Sequence, residues 1–108
     1  MEATINGTRI HYERSGTGFP LLLIHAGIAD SRMWEPQALA LANDFDMIRP
    51  DMRGFGDSDL PPGPYSTRAD LIGLLDQLGV DRAHIVGCSM GGTVAVDLAL
   101  EYPADRIA

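Results

Sequence analysis

Three strand-like runs, each followed by a loop and a helix-like pattern, constrain this chain more than any other feature. The runs are LLLIH at 21–25, FDMIRPD at 45–51 and AHIVGC at 83–88. LLLIH is continuously apolar, which suits a strand buried on both faces of a parallel sheet, and AHIVGC reads as another buried strand. SRMWEPQALALAND (31–44) follows the first run, with Ser31 the expected N-cap and Pro36 near the first turn. TRADLIGLLDQLG (67–79) follows the second. Its Leu71, Leu74, Leu75 and Leu78 share one helix face, and Gly79 suits the C-terminal stop. GGTVAVDLALEY (91–102) follows the third and is expected to stop at Pro103. Such alternation implies a parallel sheet with right-handed crossovers.

Ahead of the first run, ATINGTRIHYE (3–13) holds two short strands around Asn6-Gly7, a dipeptide suited to a tight hairpin turn. The closing ADRIA (104–108) reads as the approach to a further strand. The expected fold class is therefore α/β: a mostly parallel sheet with an N-terminal antiparallel hairpin and helices on both faces. Ligands in such sheets bind at the carboxyl ends of the strands. Three unusual loops begin there: HAGIADS, PDMRGFGDS and GCSMGG.

GCSMGG (87–92) is the most informative of the three. A strand-to-helix turn of almost no length strains its central residue and pushes that side chain clear of both elements. Residues two before and two after the serine then face each other and nearby strands, where large side chains would clash. Gly87 and Gly91 remove the clash, and Gly92 lets the helix begin close to the sheet. Ser89 would also stand at a helix N-terminus, where free N–H groups favour developing negative charge. The Met90 N–H is placed to help hold such a charge.

Composition narrows the partners. The net charge of −7, with every cation an arginine, gives no electrostatic footprint for nucleic acid or an anionic membrane surface. The single cysteine, Cys88, fits a reducing compartment. MEATINGTRI lacks the basic flank and apolar core of a signal peptide, and LLLI is too short to span a bilayer. A soluble, cytoplasmic protein is expected. No Cys/His/Asp group has metal-ligand spacing, and GFG lacks the third glycine of a dinucleotide fingerprint, so neither metal nor cofactor is expected.

Taken together, PLLLIHAG, DMRGFGDS and LLDQLGVDRAHIVGCSMGG resemble, in order and spacing, the N-terminal half of an α/β-hydrolase fold protein. The resemblance implies a partial domain over residues 1–108, lacking the half that bears the acid and the base. It implies Ser89 as nucleophile and Met90 as one backbone oxyanion donor. It places the second donor on Gly27, although His25-Ala26 departs from the family's His-Gly. It gives His25, Asp51 and Arg53 the task of supporting the loops. It further implies a small-molecule carbonyl substrate of ester or lactone type, attacked through an acyl-enzyme. Serine at this place argues against the dehalogenase and epoxide-hydrolase branches, which attack with aspartate. The resemblance also admits C–C bond hydrolases and cofactor-free haloperoxidases or perhydrolases.

A serine hydroxyl needs a general base. In this family the base is a histidine that follows the serine in the chain, and none of the 19 residues after Ser89 is histidine. Asp97 and Glu101 read as a solvated helix face. His11 reads as a surface or packing residue. His84 stands at the opposite end of its strand, roughly 16 Å from Ser89 by extended-chain geometry. His25 lies at the right edge, with a loop-orienting role by resemblance and proximity to the serine still open. The chain therefore reads as incomplete relative to its family, and the other class of reading is an inert partial domain or pairing module. Ending after Ala108 would leave HIVGC as an apolar sheet edge, from which self-association or pairing is expected. Trp34 reads as a core anchor and Cys88 as a small packed side chain. Asp57 and Asp59 read as solvated.

Overall fold

A computed structural model describes residues 1–102 and 104–108. Five strands form one sheet: β1 (Glu2–Ile5), β2 (Thr8–Ser15), β3 (Phe19–Ile24), β4 (Phe45–Pro50) and β5 (His84–Gly87). Their spatial order is β1-β2-β4-β3-β5. Asn6 and Gly7 both take positive φ (50° and 77°), as a primed hairpin turn requires, and register Ile5 against Thr8. β2 then runs antiparallel to β4, which fuses the hairpin to the main sheet. β3 pairs in parallel with both β4 and β5. The sheet is thus mixed, with its parallel part centred on β3.

Three helices follow the strands: α1 (Glu35–Leu41), α2 (Thr67–Gln77) and α3 (Met90–Glu101). The segment expected as one helix from Ser31 is a short 3-10 turn, Ser31–Trp34, leading into α1. Its cap is Asp30, whose carboxylate accepts the Arg32 N–H, and not Ser31. Ser31 is buried and its N–H is used elsewhere. α2 matches its expected span. Ser66 caps its start, and its end closes with Gly79 at φ 72° while the Val80 N–H reaches back to the Leu75 carbonyl. The expected stop of α3 at Pro103 lies outside the described residues.

α2 and α3 cover one face of the sheet, where Leu71, Leu74, Leu75 and Leu98 pack on Leu22, Ile24 and Ile48. The 3-10 turn and α1 cover the other, where Trp34 packs against Leu21, Leu23 and Met47, with Cys88 half-buried beside them. Trp34 is therefore a core anchor, as expected. Beyond β5, Ile107 forms a parallel bridge to Ala83, so ADRIA does approach the sheet as a further strand would. Among the described residues no helix is long and apolar enough to cross a membrane.

Candidate active site

The turn from β5 into α3 is built of backbone on backbone. A methyl group on Gly87 would lie 2.2 Å from the Gly91 carbonyl oxygen, and one on Gly91 would lie 2.2 Å from the Ile24 carbonyl oxygen. No side chain fits at either position. Gly92 differs: its nearest neighbour would be the Gly87 oxygen at 3.5 Å, an ordinary contact. Space therefore demands glycine at 87 and 91 only, which corrects the expectation for Gly92.

Ser89 takes φ 55° and ψ −116°, a conformation that costs a non-glycine residue roughly 1–3 kcal/mol. It stands at the N-cap of α3, yet its hydroxyl makes no capping bond and the residue is exposed. Serine at an N-cap ordinarily turns its oxygen back onto the helix amides. Here the strained backbone points it away; the N–H groups of Gly91, Gly92 and Thr93 are taken by the Cys88 and Ser89 carbonyls, which leaves the first, that of Met90. Met90 is the first residue of α3, and the Gly27 loop lies against it, with the Met90 sulfur 3.1 Å from where a Gly27 methyl would stand. Among the described residues neither the Gly27 nor the Met90 N–H has a backbone acceptor. A hydroxyl beside a helix N-terminus whose first amide is unused, with the Gly27 loop against it, is suited to carrying negative charge.

The loop bearing Gly27 is clamped at both ends by adjacent residues of the loop after β4. At its start, the fully buried His25 accepts the Met52 N–H on Nε2 at 2.9 Å. Nδ1 therefore carries the proton and donates to the Ala26 carbonyl at 2.7 Å. At its end, the Ser31 N–H donates to Asp51 Oδ1 at 2.7 Å. The other Asp51 oxygen accepts the Asp57 N–H at 3.0 Å. The third adjacent residue, Arg53, anchors this loop to α2 through a bidentate pair with Asp70, at 2.9 and 2.8 Å, with both side chains buried. The Tyr65 ring lies 4.7 Å from the Arg53 guanidinium. Asn6 of the hairpin donates to the same Asp70 carboxylate at 3.1 Å.

His25, Asp51 and Arg53 thus come together at the strand ends beside the elbow. The counter-charge for Arg53 is Asp70, which sequence reasoning missed. The signal was present: Asp70 lies one helical turn before Leu74, on the apolar stripe of α2, and an acid there calls for a buried partner. Asp59, read as solvated, is exposed but pairs with Arg9, whose guanidinium holds its carboxyl below the usual range. Asp57 is exposed as expected, although its N–H serves Asp51. Asp97 and Glu101 line up with Arg68, at 3.7 and 2.7 Å.

Two of the three histidines are engaged by hydrogen bonds elsewhere. His25 has no free lone pair to offer Ser89. His11 Nε2 lies 2.9 Å from Glu13, and the exposed His84 ring is tilted against Phe19 at the far end of β5. The ligand atoms of His11, Asp51 and Asp57 do converge to within 4.8 Å, which sequence spacing could not reveal. Both Asp51 oxygens there already accept backbone N–H groups, so the geometry gives that carboxylate a structural role.

Residues 20–108 match the model of the alpha/beta hydrolase fold family. The chain belongs to that family. A soluble epoxide hydrolase of Corynebacterium sp. (strain C12) is 38% identical over 103 residues, spanning 93% of this chain and 36% of that protein. Among solved structures, the enol-lactonase from Burkholderia xenovorans LB400 superposes with a TM-score of 0.92 at 39% identity, over 99% of this chain and 44% of its own. A thermophilic esterase from Thermogutta terrifontis gives 0.88 at 36% identity, over 99% and 42%. The chain therefore spans less than half the length of these relatives.

Proposed function

We propose that this chain carries the nucleophile and oxyanion donors of a serine hydrolase acting on an ester- or lactone-type carbonyl. The observation that carries the reading is the conformation of Ser89: strained, exposed and uncapped at a helix N-terminus whose amide is unused. Nothing in packing rewards that arrangement, whereas attack on a carbonyl needs it. Ser89 Oγ adds to the carbonyl carbon and the carbonyl oxygen becomes an alkoxide. The N–H groups of Met90 and Gly27 stabilise that charge, the leaving group departs, and water then cleaves the acyl-enzyme. Removing one such donor raises a barrier of this kind by about 3–4 kcal/mol.

His25, Asp51 and Arg53 act on this chemistry by fixing the loop that bears Gly27. The proton of Ser89 needs an acceptor, and His25, hydrogen-bonded on both ring nitrogens, is not free to be one. Likeness to epoxide hydrolases supports a second reading, epoxide opening. Serine in place of the aspartate expected in that branch weighs against it.

Covalent labelling with a fluorophosphonate, in the wild-type chain and in Ser89→Ala, each supplied with the C-terminal segment of a relative, tests the reading. Labelling that the substitution abolishes is the expected result. Its absence supports the inert reading and removes the proposal. Turnover of an aryl epoxide but not of an aryl ester would favour the second reading.

A further inference from the structure

We propose that Met90 is an oxidation site, and that its sulfoxide closes the amide pair beside Ser89. The consequence rests on the acyl-transfer reading, but the modification itself does not.

Exposure separates the five methionines. Met90 is 40% exposed and Met1 57%, whereas Met47 and Met52 are at 0% and 3%. Met33 is half-buried and its sulfur already accepts the Ala26 N–H at 3.3 Å. Met90 is therefore the accessible thioether of the site. Its change of state also reaches the donors. Its sulfur and methyl lie over Gly27, at 3.1 and 3.4 Å from where a side chain would begin. The space is open to it only because residue 27 is glycine.

A thioether is a weak acceptor and leaves the Gly27 and Met90 amides available. A sulfoxide is polar, and its oxygen is a strong acceptor. Hydrogen peroxide is the oxidant class that balances the step. A sulfur lone pair attacks one peroxide oxygen, the S–O bond forms as the O–O bond breaks, and the released hydroxide takes the proton of the sulfur-bound hydroxyl and leaves as water. Sulfur loses the electron pair that the peroxide gains. The new oxygen then stands beside amides that an alkoxide would use, held there by the chain itself. Thiol-driven methionine sulfoxide reduction reverses the change.

The test treats the chain with limiting hydrogen peroxide and follows oxygen addition peptide by peptide by mass spectrometry. Met90 is expected to oxidise about tenfold faster than Met47 or Met52, in line with exposure. In parallel, the backbone amide resonance of Gly27 is followed in wild type and in Met90→Leu. Peroxide should shift it in wild type, a reductase should return it, and Met90→Leu should remove the shift. Fluorophosphonate labelling of Ser89, where present, should fall with Met90 oxidation and recover with reduction. If Met90 oxidises no faster than Met47, or the Gly27 amide responds equally in Met90→Leu, the proposal is overturned. If labelling is absent before oxidation, the acyl-transfer reading fails while the mass and amide measurements still decide this one.

Discussion

The turn from Gly87 to Gly92 and the loop from Asp51 to Ser58 lie on the same edge of the sheet, yet different forces hold them. The turn is fixed by repulsion: carbonyls of Ile24 and Gly91 occupy the space where side chains at 91 and 87 would go. The loop is fixed by attraction between buried polar groups: Asp51 to Ser31 and Asp57, Met52 to His25, and Arg53 to Asp70. Steric fixation needs no partner to be chosen and tolerates no addition. Polar fixation tolerates small changes of shape, but leaves an uncompensated group behind when one partner is lost.

That contrast sets the order of expected effects. Arg53→Met should cost most, about 3–5 kcal/mol, because it strands the buried Asp70 carboxylate with Asn6 as its remaining side-chain donor. Urea denaturation measures this, and a loss under 1 kcal/mol, the scale of an exposed pair, would break the account of the loop.

In the turn, Gly91→Ala should cost about 3 kcal/mol as backbone shifts to admit the methyl. Gly92→Ala should instead gain up to about 1 kcal/mol from helix propensity, since its methyl meets only an ordinary contact. Equal melting of the two variants would refute the steric reading. Ser89→Gly should stabilise the fold by about 1 kcal/mol by releasing the strain at φ 55°, while Ser89→Ala should not. That pair separates strain from the hydroxyl itself.

The smallest effect belongs to Asp30, at the end of the clamped loop. Hydrogen bonds from the Arg32 side chain and then its backbone N–H hold its carboxyl at about 2, below the ordinary 3.8. A lowered folded value means that its stabilisation is complete above pH 3.8 and is lost as pH falls through about 2. Asp30→Asn, which keeps the cap, should flatten stability across that window in acid melts. An unchanged slope would show that the contact does not persist in solution.

How much of this was legible depended on the range of the interaction. Gly87 and Gly91 could be read because the clash is written into a six-residue turn. The hairpin at Asn6-Gly7 and the closure of α2 at Gly79 were equally local. The cap at Asp30 was missed in favour of Ser31 because both are good capping residues one position apart. The choice fell to Asp51, twenty positions away, which takes the Ser31 N–H for the loop clamp. Arg53 announced a buried charge but not its counter-ion, and His25 announced a loop role but not which nitrogen faces which neighbour.

The amino-acid sequence alone determined the alternation of strands and helices, the edge where the three loops meet and the place of the strained serine. Each follows from periodicity or from sterics within a few residues. Only the tertiary structure decided who pairs with whom: Asp70 with Arg53, Met52 with His25, the Met90 sulfur with the bare face of Gly27. Hydrogen bonds and ion pairs are short-ranged in space and indifferent to distance along the chain. Their partners become definite only once the strands are placed side by side.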